Sequence, residues 1–509
     1  MSHSHENEIF HSLQAELCPR FQRFRSDNKQ AYTAVVVPSQ SFDSKELAKI
    51  DGIAHYEERS LFNLMLLQYP RLKVVFVSSK RLNPLIVDYY LHQMRGVPTE
   101  HARRRLVLFD CDDASPRPLS QKLLERPRLL QRIRDEISDP SRSHLTVFNS
   151  TPLERSLAVA LAIPLNACDP DKVTLGSKSG SRRLFREAEL AIPEGFEDLH
   201  DEHQLSEAIA ELWHHQPQLS RVVVKLNESF SGEGNAILNL RQQGEAPKSS
   251  RAKIRVIREA LPEMQFEAQG LHWEPYVAQF QQMGGICEAW IEGTDKTSPS
   301  VQMRISPSLE VQAVSTHDQV LGGPNGQVFQ ASTFPARAQY RIEIQDQCRK
   351  VGQLLARQGV LGRFGVDFLV LNQGEANQRI FATEINLRQG GTTHPFNTLK
   401  FLTGGHYEEH TGRFLTAQGS ERVYFSTDTL HSPRYRGIMP FDLIDAMVIH
   451  DIHFRADDTG VVFHLLGCLS EFGKIGCTVI ARDQTEAKAL YESTVSLLDT
   501  MNESQGSLG

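Results

Sequence analysis

The stretch IFATEINLRQGG (380–391) carries an acid, an amide and a cation at alternate positions: Glu384, Asn386 and Arg388. Neighbouring side chains of an extended chain point to opposite faces, so these three share one face. Just upstream, GVDFLVL and RIFATEIN flank a polar connection rich in Asn, Gln and Gly, which reads as a β-hairpin. A turn centred near Glu375 and Ala376 sets Asp367 across from Glu384, with Asn386 one same-face step further. Two carboxylates and an amide oxygen are hard donors that suit Mg2+ rather than zinc. Left together without a cation, the carboxylates repel each other. On this pair alone, a solvent-facing hairpin whose charges repel weakly through water accounts for the pattern equally well.

A second set of residues could handle phosphate. In RVVVKLNESFSGEGNAILNL (221–240) a strand ends on Lys225, and a loop with Ser231, Gly232 and Gly234 follows. Such a loop can fold its backbone N–H groups over phosphates while the lysine supplies a point charge. The G-x-x-x-x-G-K-[ST] order of a P-loop is absent. Lys178 sits on a GSK turn, and CEAWIEGTD spans 287–295.

In this order, Lys178, Lys225 with its glycine loop, the EAWI strand, Asp367 and then Glu-x-Asn-x-Arg, the chain resembles the ATP-grasp superfamily over about residues 171–420. The resemblance implies ATP and Mg2+ as cofactors. It assigns Lys178 and Lys225 to the ATP phosphates and SFSGEGN (229–235) to the loop that closes over them. It places Glu288, Trp290 and Ile291 on the strand that reads the adenine edge, and Asp295 at the ribose hydroxyls. Asp367, Glu384 and Asn386 match the Mg2+ ligands, and Arg388 the arginine facing the acyl group being phosphorylated. The gap from Asp367 to Glu384 is long for the family, which implies an enlarged hairpin loop. The whole chain is also similar to bacterial ATP-grasp peptide ligases of the kind that assemble pheganomycin. HYEERSLFNLMLLQYPRLKVVFVSS, STHDQVLGGPNGQVF, EINLRQGGTTHPF and FHLLGCLSEFGKIG carry that likeness.

The implied activity is an ATP-dependent ligase joining a small carboxylic acid to an amine through an acyl phosphate. Arg304, His317 and Asp318 are candidate substrate contacts, Arg304 being the one taken as catalytic beside Arg388. The glycines and proline of 315–337 predict a mobile loop near the acyl substrate, and Thr and His residues of GGTTHPF (390–396) could contact the acyl group. His464 reads as structural. A carboxylase is disfavoured because no biotin-accepting MKM sequence occurs. A non-catalytic ATP-binding module stays open as the alternative.

The elements that must hold these residues follow from patterning. Short β-rich runs (32–39, 72–79, 104–113, 144–151) alternate with helix-like stretches, which predicts a mainly parallel α/β sheet. The expected fold is α/β: a Rossmann-like pre-ATP-grasp domain over 1–170, a two-lobed ATP-grasp domain over 171–420, and a small α+β domain over 421–509. The polar stretch 241–253 reads as a mobile loop, and Asp483 with Glu486 has the spacing of a capping box.

Among 509 residues, 40% are hydrophobic and 23% charged, as in soluble globular chains, and the net charge is −7. No basic field points to nucleic acid. No eighteen-residue apolar run or secretory layout is present, so no membrane partner is expected. Seven cysteines without C-x-x-C spacing argue for a reducing compartment, the cytoplasm, and against a zinc site. A homodimer is left open.

Overall fold

The computed structural model describes residues 3–27, 29–229, 232, 234–244, 247–268, 270–293, 295–323, 326–372 and 378–501. The β-branched runs near the N-terminus form a four-stranded parallel sheet in the order Leu106–Asp110, Leu72–Ser78, Tyr32–Val37, Ser143–Val147. Alternation sends Val35, Val75 and Leu145 into one core and Ala34, Val74 and Phe76 into another. Both faces are therefore covered, as an all-parallel sheet requires.

Beyond it lie two antiparallel sheets. The smaller has five strands in the order Gly195–Leu199, Gly285–Ala289, Arg221–Leu226, Asn235–Asn239, Gln265–Phe266. Helices Glu202–His215 and Trp273–Met283 pack Trp213, Tyr276 and Phe280 against it. The larger has eight strands, beginning with Gln378–Asn386, Gly362–Asn372, Lys296–Ile305, Val311–Gly322 and Val328–Phe334. It runs on without a break into Val423–His431, Lys474–Ala481 and Gly460–His464. On helix Arg341–Arg357, Ile344, Cys348, Val351 and Leu355 recur at helical spacing and bury one stripe against this sheet.

Two expectations are corrected. The segment 315–337 is not a loop: most of it lies in strands Val311–Gly322 and Val328–Phe334, with 324 and 325 outside the described residues. Its β-branched and aromatic residues pair across the sheet and outweigh the glycines at the turn. In the polar stretch 241–253, a helix already begins at Ser250, capped by the Ser249 side chain accepting from Ala252 N–H. The C-terminal helix Gln484–Met501 starts where expected, with Asp483 accepting from the Glu486 N–H at 2.8 Å.

All seven cysteines are free. No helix among the described residues is long and apolar enough to cross a membrane.

Candidate functional site

The two antiparallel sheets face each other across a cavity of about 840 Å³. On its floor, the hairpin Gly362–Asn372/Gln378–Asn386 sets Asp367 opposite Glu384 and Gly365 opposite Asn386. A bulge at Thr383 shifts the register between Asp367 and Phe368, and beyond it Glu384 and Asn386 keep the alternate-residue spacing legible in the sequence. The expected turn at Glu375 and Ala376 lies outside the described residues.

Asp367, Glu384 and Asn386 converge. The Asn386 amide donates to Asp367 Oδ2 at 3.1 Å, and Gln319 donates to Asp367 Oδ1 at 2.8 Å. Burial and the neighbouring Glu384 push the Asp367 carboxyl up to about 7, with Lys178 and Arg388 only partly offsetting them. Glu384 goes the other way: burial raises it, but Lys178 and Arg388 hold it below the usual carboxylate range. Lys178 Nζ stands 2.5 Å from Glu384 Oε1. The cluster thus holds two carboxylates and an amide around one point, and is short of positive charge at Asp367. That donor set fits a hard divalent cation.

Lys178 opens helix Lys178–Glu187, whose N-cap Ser177 accepts from the Gly180 N–H. Gly180 has no room for a Cβ, which would lie 2.3 Å from the Thr174 carbonyl oxygen. Lys225 is the penultimate residue of strand Arg221–Leu226, and its Nζ lies 2.7 Å from Glu288 Oε2. Glu288 is buried and also accepts from Arg182. Burial raises its pKa, yet Lys225 and Arg182 outweigh that and keep it ionised. Its carboxylate therefore anchors the lysine, and the chain that follows it, Ala289 to Ile291, lines the cavity. Trp290 is flanked by Arg221 and Lys296 at 4.6 and 4.8 Å, and its buried Nε1 has no hydrogen-bond partner. The Ile291 carbonyl accepts from Lys296.

Above the cavity, Gly232 has φ +83°, and a Cβ there would meet the Gln327 carbonyl at 2.9 Å. Asn235 donates to Gln327 Oε1 at 2.8 Å, and Gln327 donates to Glu267 at 2.8 Å, so the loop of the small sheet is tied to a turn of the large one. Ser231 lies outside the described residues. The Gly234 carbonyl turns away to the Tyr276 hydroxyl.

Several expected residues stand apart. Asp295 is exposed, pairs with Asn372 at 3.1 Å and does not border the cavity. Arg304 opens into a different cavity, described below. His317 is wholly buried, 2.6 Å from the Tyr424 hydroxyl. Asp318 does border the main cavity, held by the Tyr340 hydroxyl and the Arg337 N–H. Of the glycine run after the hairpin, Gly390, Gly391 and Thr392 reach the cavity, and Thr392 Oγ1 is buried without a partner.

Arg59 and Asp428, which border the same cavity, were not singled out from the sequence. Arg59 Nη1 meets Asp428 Oδ2 at 2.9 Å, while Asp428 Oδ1 lies 2.5 Å from His464 Nε2 and 3.1 Å from His394 Nε2. Burial raises the Asp428 carboxyl, but the two imidazoles and Arg59 outweigh it and hold it well below the usual range. HYEER contained the signal for Arg59, an arginine in a stretch that already carried the family likeness. Asp428 has no flanking motif.

Residues 172–410 match the family described as IQCH-like, ATP-grasp, and 442–494 match the PGM1 C-terminal domain. Over these residues the chain has an ATP-grasp fold. The ATP-grasp assignment agrees with the two-lobed cleft, and the chain has the fold of biotin carboxylase from Campylobacter jejuni, solved as a complex with β,γ-ATP. That match has a TM-score of 0.55 at 12% identity and covers 94% of this chain and 96% of the other. An L-propargylglycine–L-glutamate ligase of Streptantibioticus cattleyicolor is 28% identical over 479 residues, 92% of this chain and 94% of that one. IQ motif-containing protein H of Danio rerio is 23% identical over 422 residues; the match takes in 75% of this chain but only 39% of that longer protein.

Proposed function

We propose that this protein is an ATP-dependent carboxylate–amine ligase that forms an amide bond, in the first instance a peptide bond, and releases ADP and phosphate. The observation that carries the reading is the convergence of Asp367, Glu384 and Asn386 with Lys178 and Arg388 in one cleft, with Lys225 on its opposite wall. The ligase from Streptantibioticus cattleyicolor, named for joining two amino acids, supports the peptide bond.

Activating a carboxylate with ATP sets an anion against a polyanion. At ~4 Å and an effective dielectric near 20, each pair of unit charges costs roughly 4 kcal/mol. Lys178, Lys225 and Arg388 offset that repulsion as fixed cations, which stabilise charge where it develops. Asp367, Glu384 and Asn386 would hold Mg2+, which supplies neutralisation of phosphate charge. Trp290 and Ile291 line the position for the base. In the reaction, a carboxylate oxygen takes the γ-phosphoryl group and ADP departs. The amine nitrogen then bonds to the acyl carbon as the carbon–oxygen bond to phosphate breaks. The electron pair leaves with phosphate, which also takes the amine proton. The loop bearing Gly232 keeps water from competing with the amine.

The test is a screen of amino acids and short peptides for ATP-dependent release of ADP and phosphate, with hydroxylamine as a substitute amine. Hydroxamate formation together with ADP supports the acyl phosphate. AMP in place of ADP would indicate adenylation, and no nucleotide turnover in any mixture would leave only a binding module.

A further inference from the structure

A second cavity, of about 480 Å³, lies between the parallel sheet and the large antiparallel sheet. That volume is in the range of small-molecule sites. Arg304 and Arg363 both open into it and are direct cross-strand partners, one on Lys296–Ile305 and the other on Gly362–Asn372. Like charges placed opposite each other on antiparallel strands destabilise the pair. Nothing acidic relieves them: among the described residues no Asp or Glu borders this cavity.

The cations have few partners of their own. Arg363 donates to Asn397 Oδ1 at 3.1 Å, and Arg304 stacks over the Phe21 ring at 5.4 Å. Lys400 lies one helical turn beyond Asn397 on Thr393–Thr403 and points to the same cavity. Burial lowers the pKa of the partly buried Arg304 and Arg363, and Arg304 adds to that at Arg363, while Lys400 stays exposed. His144, on the opposite wall, is held neutral by burial and by Arg304. Uncompensated charge of this kind, facing a cavity, marks a site where a ligand brings the counter-charge.

The position connects this cavity to the chemistry. Arg388 borders both cavities, with the Phe42 and Phe148 rings each 5.9 Å from its guanidinium. A molecule seated against Arg304 and Arg363 therefore shares its cavity with the arginine that faces the main cleft.

We propose that the second cavity seats the amine-bearing substrate, an amino acid or short peptide held by its free carboxylate on Arg304, Arg363 and Lys400. This rests on the ligase reading and names a substrate class for it. A nucleophile must present a neutral amine, which leaves an amino acid net anionic through its carboxylate, and this cavity offers four cations, Arg388 among them, and among the described residues no acid. An acid substrate with an ammonium group would find no counter-charge here. Phe21, Phe24, Phe62 and Tyr69 supply an aromatic wall for the rest of the molecule.

The test is calorimetric titration of the full chain with the common L-amino acids and, in parallel, their α-carboxamides. At least one amino acid is expected to bind roughly 30-fold or more tightly than its carboxamide, and Arg304→Gln/Arg363→Gln to cut that preference to about threefold. Binding of no amino acid, equal binding of acid and amide, or a preference that survives both substitutions would overturn the proposal. The double variant should melt at or above the wild-type temperature, because it removes a repulsion. A large fall would make the arginines structural and also overturn it. Nucleotide turnover is measured separately: an intact carboxylate preference with no ADP from any mixture sinks the ligase reading alone.

Discussion

Lys178, the first residue of its helix, closes on Glu384 at 2.5 Å, and the same helix packs Leu184 and Phe185 into the core of the large sheet. The same lysine offsets the repulsion between Glu384 and Asp367. A divalent ion entering the site must share Glu384 with it. Glu384→Gln and Lys225→Ala are each expected to lower ADP release by about 100-fold or more while the fold persists. Near-wild-type turnover in a folded variant would remove these residues from the site.

Asn235, Gln327 and Glu267 form a chain of hydrogen bonds that ties the glycine loop to the large sheet. Gln327→Ala breaks one neutral link, to Asn235, and one to the Glu267 carboxylate. Weaker binding of a non-hydrolysable ATP analogue is the expected outcome, by about tenfold. Unchanged affinity in calorimetry would mean that this tie does not govern access to the nucleotide cleft.

Asp428 gathers Arg59, His394 and His464 in a buried cluster. Asp428→Asn leaves Arg59 without its counter-charge, and breaking a buried pair costs about 3–5 kcal/mol. Denaturant unfolding should show that loss, and a change below ~1 kcal/mol would show that water reaches Arg59 and screens it.

His317 is held neutral: burial lowers its pKa from 6.5 to about 3. Between those values the unfolded chain binds the extra proton and the folded chain does not, so stability is complete above 6.5 and falls as pH drops. From pH 7 to pH 5 this one group should cost about 2 kcal/mol. His317→Gln should flatten the stability profile over that window by a similar amount. An unaltered slope would assign the acid sensitivity to His144 or other groups.

How much of this was legible depended on sequence distance. Asp367, Glu384 and Asn386 were readable because a hairpin is local and Glu384 and Asn386 sit two apart, although the bulge at Thr383 that brings Glu384 opposite Asp367 carries no local signal. Arg304 was singled out, but its partner Arg363 was not. Their meeting depends on Gly362–Asn372 pairing with Lys296–Ile305, a strand order that composition does not encode. Arg59 and Asp428 are 369 residues apart, and only the tertiary fold brings them together. The segment 315–337 misled in a different way: its glycines and proline are strong local signals, yet pairing with neighbours on both sides made most of it strand. Residues 53–68 show helical spacing, and the structure winds them as tighter 3-10 turns that bury Glu57, Glu58 and Asn63 alongside the leucines.

The eight-stranded sheet places the acidic hairpin at one edge and the strands from the last ninety residues at the other, hydrogen-bonded throughout. Cutting the chain near residue 420 would bare the flank of Val328–Phe334, whose partner is Val423–His431. A raw flank of that kind recruits other chains. Attempts to express the nucleotide-handling half by itself should therefore give insoluble product, and swapping the tail between relatives will succeed only when the seam is transplanted with it.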